Sequence, residues 1–492
     1  MNPTRTQLLA LCAVGLVVLL TLGVLAGVFG SVSPATDLAP GDDRPDDPAT
    51  SETIGYVEGY WYDDDLPIDD RDDATIEEAE FESVVYRSMA RVEHLRELPF
   101  EDSVDVEVIS REEFQAEEDD VFGTVTDEQR FQQNVNYEAL LMVDRHTEIE
   151  DETDALFGDT VGGYYDLTTN EVVVVAEDPD EPETDEVILG HELLHALQDQ
   201  HFDLTSYDRE TIDREAGKNG LIEGDAVWIE EAYGERCGEE WACLEPTDQP
   251  QPPGEFNWGL YLILIQPYDD GPDYIESLLT ADGWSAVNDA YDEPPTTSSE
   301  VIRPGEDRNF TTVEVTDRSE ETWQPFEVDE EPATETVGEV GMVSMFAAGS
   351  IDGNQPAIID RESLTGSEGG PVVDLEYDQP YTDGWAGDEL AVYVPDDAET
   401  SDERLEESAF VWKSEWMSAA DAEQFADAYR ELLERHGGLP VEDRADTYEL
   451  EGDFPGTYDI DQAGERVTIV RTPDADDIEA VYDGSWTANE TT

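Results

Sequence analysis

Acidic residues run through the whole chain: 125 Asp and Glu stand against 24 Lys and Arg, giving a formal net charge of −101, and Lys218 and Lys413 are the only lysines. Such a chain folds only if most carboxylates reach solvent, because an unpaired buried charge is strongly disfavoured. The acids interrupt segments that also carry regular apolar spacing, so they read as a solvated surface. Disorder is the rival reading, but 38% apolar residues with 10 Trp and 20 Tyr are too many for a chain without a core. The 492 residues leave room for two or three domains. Nucleic acid is excluded as a partner, since phosphate neutralisation needs basic clusters and none exists. The lysine-poor acidic pattern resembles haloarchaeal proteins, in which high salt screens self-repulsion.

Leu8 to Phe29 form an uncharged run of 22 residues, about 33 Å as a helix, which matches a bilayer core. An uncleaved anchor is expected over a removed signal, whose apolar region is usually about 7 to 15 residues long. Arg5 before the run, and acids after it, place the C-terminal portion outside the cell, at the membrane or cell surface. Cys12 follows Leu11, so no lipid anchor is expected. Outside the cell, Cys237 and Cys243 are candidates for a small disulfide, with two free thiols as the alternative. Asn309 and Asn489 each begin an Asn-X-Thr glycosylation sequon.

The organisation read along the chain is an anchor or signal at 1–29, a Pro/Asp/Thr-rich linker at 30–74 and a metal-site domain at 75–304. A polar connecting segment at 305–335, a mixed C-terminal region at 336–472 and a tail at 473–492 follow. A Thr75/Glu78 capping box predicts a helix over 76–97, and a strand is expected at 104–109 with a further helix within 127–147. Tyrosines and β-branched residues around Thr168-Thr169-Asn170 predict a β-hairpin. Helices are then expected from Thr184 or Asp185 through Gln200, over 212–235, as a pair split near Pro267 within 254–282, and over 421–436.

The predicted helix after the hairpin carries His191-Glu192-Leu193-Leu194-His195. Residues four apart share a helix face, so both imidazoles can meet one zinc ion while Glu192 stands beside it as general base for a water. A third protein ligand is needed. Glu223, followed by Gly224 and Ala226, is the candidate, on the argument that small residues leave room for an ion. Asp225 is a candidate hydrogen-bond partner behind a histidine, with a solvated acid as the equal reading. Asp199 and Gln200 are expected to bond the helix end, Trp385 to be a packed tryptophan near Asp388, and His94, His146 and His436 to lie outside any site.

With these residues the chain resembles the zincin metallopeptidases, and especially the gluzincin type, in which a glutamate from a later helix completes a His-His-Glu site. It is most similar to a group of exported microbial proteins that includes haloarchaeal surface proteins. The resemblance rests on His191 to Leu204, Glu223-Gly224-Asp225-Ala226, Pro267-Tyr268-Asp269-Asp270-Gly271, Pro294 to Glu300, Gly338-Glu339 and Gly384 to Asp388, within residues 76–436. It departs at Ile302-Arg303-Pro304, where relatives often read Leu-His-Pro. A guanidinium there cannot shuttle a proton.

The resemblance implies an α+β, mainly helical zincin-like ectodomain with a small sheet, preceded by one transmembrane helix. It also implies one Zn2+ per chain and a peptide or protein substrate. The expected activity is peptide-bond hydrolysis at the cell surface. The alternatives are a zinc-binding surface protein without proteolysis and a metal-free envelope component. His201 lies ten residues after His191, the metzincin offset, but Gln198 stands where that pattern needs glycine, so Glu223 is preferred.

Overall fold

The computed structural model describes residues 44–483 apart from 46, 72–73, 123–124, 158–160, 180, 247–255, 307, 367–374 and 399–400. The apolar run 8–29 and Asn489 therefore lie outside the described residues. Among the described residues no helix is long and apolar enough to cross a membrane. The fold is α+β.

Helix α1 (Phe81–Arg96) packs on a three-stranded sheet and on the metal-site helices. It starts later than the capping-box reading predicts. Thr75 is held instead in an antiparallel bridge to Glu183, and Glu80 caps the helix without a side-chain bond. The sheet places β1 (Asp105–Ser110) parallel to β3 (Glu171–Ala176), and β3 antiparallel to β2 (Gly163–Asp166), so β2 is an edge. Asn170 turns the β2–β3 hairpin with φ 62°, a conformation asparagine tolerates. Between β1 and β2 lies α2 (Asp127–Ala139), capped by Thr126 and Gln129.

Helices α3 (Glu186–Phe202) and α4 (Ile212–Arg236) follow, capped by Asp185 and Thr211, whose side chains accept from Val187 N and Arg214 N. Next, α5 (Trp258–Asp282) is one continuous helix through Pro267 and Pro272, not the expected pair. Its Leu262 carbonyl accepts from the Tyr377 hydroxyl at 2.6 Å, which ties the helix to the C-terminal half. Short helices α6 (Trp284–Asp292) and α7 (Ser298–Ile302) close this half.

The C-terminal half, expected only as a mixed region, is built on a larger sheet. An eight-stranded antiparallel sheet runs β8 (Leu439–Pro440), β9 (Thr447–Leu450), β10 (Gly456–Ala463), β11 (Arg466–Thr472), β7 (Ala409–Trp416), β6 (Trp385–Pro395), β4 (Trp323–Pro325), with β5 (Thr334–Glu335) also on β6. Helices α8 (Gly338–Ala347) and α9 (Ala419–Arg435) cover it. Strand β6 is buried on both faces, so it lacks the polar alternation that marks a half-exposed strand. The polar segment 305–335 supplies β4 and β5 to this sheet.

The segment expected as a tether, 30–74, is packed in its described part. Val57, Leu66 and Ile68 are buried, and Asp69 accepts from Arg87 at 2.6 Å. Several of the scarce arginines go to buried carboxylates. Arg87 and Arg91 meet Glu186 at 3.0 and 2.7 Å, Arg145 meets Glu138 at 2.6 Å, and Arg303 meets Glu339 at 2.8 Å. A buried acid keeps its charge only with such a partner or with several N–H donors.

Candidate metal centre

Two helices make the centre. His191 and His195 lie one turn apart on α3, and their Nε2 atoms stand 3.3 and 3.4 Å from Glu223 Oε2 on α4. All three residues are fully buried, and among the described residues they alone form a group of metal-ligating atoms, within 4.8 Å of one another. The two Nε2 atoms and both Glu223 oxygens make no well-formed hydrogen bond. Buried polar atoms are rarely left so, and three converging lone-pair donors fit a borderline-soft cation such as zinc.

The far side of each ring fixes which nitrogen faces inward. His191 Nδ1 donates to Glu230 Oε2 at 2.8 Å, and His195 Nδ1 donates to Gln198 Oε1 at 2.9 Å. Gln198 is oriented in turn, because its Nε2 donates to the Ile222 carbonyl at 3.0 Å. With both Nδ1 atoms committed as donors, the Nε2 positions face Glu223. Burial disfavours charge on His191, yet the Glu223 and Glu230 carboxylates close to its two nitrogens outweigh it and push the ring up to about 10. Glu223, despite burial, is drawn down to about 2 by His195 and His191.

Glu192 is 1% exposed and lies against the edge strand: a Cβ added at Gly163 would be 3.6 Å from its Cγ. The Tyr268 ring lies parallel to His191, 6.4 Å between centroids.

The small residues beside Glu223 serve packing, a correction to the reading that they leave room for an ion. A Cβ on Gly224 would meet Gly271 C and O of α5 at 2.5 Å. The helices touch backbone to backbone at this point, which sets where Glu223 projects. Asp225 bonds no ligating histidine. Its Oδ2 accepts from Arg96 Nε at 3.0 Å and Tyr291 hydroxyl at 2.9 Å, and lies 3.5 Å from Gln198 Nε2, so it reaches His195 only through Gln198.

His201 is elsewhere, because α3 stays helical through Phe202, and its Nε2 bonds the Pro99 carbonyl at 2.7 Å. Asp199 accepts from Tyr165 hydroxyl and Leu204 N, and Gln200 accepts from Glu101 N. Trp385 is packed and donates to Asp388. His94 stacks on Tyr62 and His436 packs on Phe454, while His146 is exposed. Arg303 is bound to Glu339 and Asp378. Cys237 and Cys243 form a disulfide with Cα atoms 5.5 Å apart, and Asn309 is exposed.

Glu230 and Gln198 were not read as site residues from the sequence. Their spacing could have shown them: Glu230 follows Glu223 by two helical turns on one face, and Gln198 follows His195 by three residues. A cavity of about 430 Å³ opens at the start of α4 among Asp213, Glu335 and Asp388, and none of the metal-centre residues lines it.

The profile of a domain of unknown function, DUF8575, matches residues 324–482. That match covers the C-terminal sheet with α8 and α9 and excludes the histidine pair. No curated protein and no solved structure matches the chain.

Proposed function

We propose that the chain is a zinc-dependent metallopeptidase of gluzincin type, carried at the cell surface by an N-terminal membrane helix. The observation that carries it is the convergence of His191, His195 and Glu223 from two helices, with Glu192 between that cluster and an edge strand. His191 Nε2, His195 Nε2 and a Glu223 oxygen would hold one zinc. When bound, zinc supplies Lewis acidity toward a carbonyl oxygen and lowers the pKa of water.

The rest of the chemistry falls to the chain. Glu192 Oε accepts the proton of the attacking water and passes it to the departing amine nitrogen. Glu230 and Gln198 keep both imidazoles in one tautomer and orientation. Strand β2, an edge, can pair with an extended peptide and lay its backbone past Glu192.

One observation favours the second reading, a zinc-binding surface protein without proteolysis. The two histidines and Glu223 are 0% exposed and Glu192 is 1% exposed, whereas catalytic zinc sites keep an open position. A peptide-library assay in molar salt separates the two. Zinc-dependent cleavage lost in Glu192→Gln, with zinc content retained, supports the peptidase. Zinc bound without cleavage in the unaltered chain supports the second reading.

A further inference from the structure

The Cys237–Cys243 disulfide stands where the two helices that carry the metal centre are joined. Cys237 follows Arg236, the last residue of α4, and Glu223 and Glu230 lie on that helix. Leu244, next after Cys243, pairs with the first residue of α3. Its carbonyl accepts from Glu186 N at 3.0 Å, and its N–H donates to Glu186 Oε2 at 3.1 Å. Glu186 opens the helix of His191 and His195, so Leu244 takes up one of the N–H groups that a helix start leaves unbonded.

The middle of the loop is anchored separately. Trp241 is buried and packs on the Tyr233 ring of α4, and Glu240 N and Trp241 N both donate to the Arg236 carbonyl. Beyond that anchor the chain turns away to α3, where Arg91 of α1 donates to the Ala242 carbonyl at 3.1 Å. The disulfide sets Cys243 back against the end of α4, with Cα atoms 5.5 Å apart, so Leu244 leaves that end in register with Glu186.

The same bond is placed to be opened. Both cysteines are half-buried in a loop exposed at Gly238, Glu239 and Glu240, within reach of a small thiol. Arg91 Nη1 lies 3.8 Å from Cys243 Sγ, and a cation beside a sulfur favours its thiolate, which makes Cys243 the better leaving group.

We propose that this disulfide is a redox latch on the metal centre: closed, it holds α3 and α4 so that His191, His195 and Glu223 converge, and reduced by an external dithiol it lets the two helix ends part and weakens zinc binding. The inference rests on the reading of that cluster as a zinc site. One thiolate of the dithiol attacks Cys237 Sγ, the bond to Cys243 breaks, and Cys243 leaves as a thiolate. The second thiol then closes on the mixed disulfide and releases Cys237. Two electrons pass to the protein, both thiol protons go to the cysteines, and the dithiol ends as its own disulfide. Metal sites tolerate only about 0.2 Å of error in ligand distance, so a small parting of the helix ends suffices.

Zinc titration of the full-length chain against a chromophoric chelator, in detergent and molar potassium chloride, tests this in three forms. They are the oxidised chain, the chain reduced with dithiothreitol, alkylated with iodoacetamide and freed of reductant, and the double variant Cys237→Ala with Cys243→Ala. Alkylation and alanine both keep new thiols from binding zinc themselves. The oxidised chain should bind one zinc. The other two should bind it more weakly by about tenfold or more, the range seen when support around a ligand is lost, with helical circular dichroism unchanged. Reduced chain left unalkylated should regain the oxidised affinity on reoxidation. Equal affinity in all three forms would overturn the latch and leave the zinc site standing, whereas no zinc binding by the oxidised chain would overturn both. Loss of helical circular dichroism in the alkylated and double-alanine forms would show a staple of the whole fold, which also overturns the latch.

Discussion

Gly224 of α4 and Gly271 of α5 meet backbone to backbone, so closely that a Cβ on either would lie 2.5 to 2.7 Å from backbone atoms of the facing helix. The contact fixes the helix that bears Glu223. Alanine at 224 should gain about 1 kcal/mol of helix propensity. Overpacking costs about 1–3 kcal/mol, and the clash here is with backbone, which cannot swing away. Gly224→Ala is therefore expected to melt at lower temperature and to bind zinc more weakly. A variant that is more stable with unchanged zinc affinity would mean that the crossing does not position Glu223.

Two variants decide the third ligand. Glu223→Ala removes one of three converging atoms, and its zinc affinity should fall by more than the roughly 100-fold upper range for an outer partner. His201→Ala removes a bond to the Pro99 carbonyl and should leave zinc affinity unchanged. The reverse pattern in zinc titrations would overturn the His-His-Glu assignment.

Gln198→Leu keeps the side-chain volume roughly constant but strips His195 Nδ1 and the Ile222 carbonyl of their partners. Zinc affinity should fall about 10- to 100-fold with the helical circular dichroism retained. Wild-type affinity in this variant would show that His195 needs no support.

The site was more legible than the fold around it. His191 and His195 declare a shared helix face by local spacing alone, with Glu192 beside it, and capping by Asp185 and Thr211 marks where α3 and α4 start. Glu223 needed the family resemblance, because which of many acids meets a distant helix is a tertiary fact. The argument from its small neighbours pointed to the residue that converges with the histidine pair, but Gly224 faces Gly271 and leaves no room for an ion. Helix α5 was misread at Pro267, where local propensity for a break loses to packing on α4. The eight-stranded sheet went unread because β6 is buried on both faces and β5 is only two residues long.

Salt should govern the folded state. The net charge of −101 is screened over about 3 Å at 1 M salt but acts over about 30 Å at 0.01 M, while the buried arginine–carboxylate pairs are little affected by salt. Surface repulsion should therefore win on desalting, with loss of circular dichroism that salt restores. An unchanged spectrum in 0.01 M salt would remove the halophilic reading.

Stability should also fall as pH rises through neutrality. Glu93, fully buried, accepts from Phe100 N, Gly55 N and Tyr56 N, yet burial still pushes it up to about 8. Glu335 and Asp213, also mainly through burial, rise to about 8 and about 7. A carboxyl whose folded pKa is raised holds its proton in the folded chain where the unfolded chain has lost it. Its contribution is fully present below the unfolded pKa of about 4 and is lost as pH rises through the folded value. Between pH 5 and pH 8.5 the folded chain should thus release more protons than the unfolded one, and the melting temperature in molar salt should drop steadily. Glu93→Gln removes one such proton and should flatten that slope whatever it does to the baseline. A melting temperature that climbs over this range, or a slope identical in Glu93→Gln, would show that these acids are already ionised in the fold.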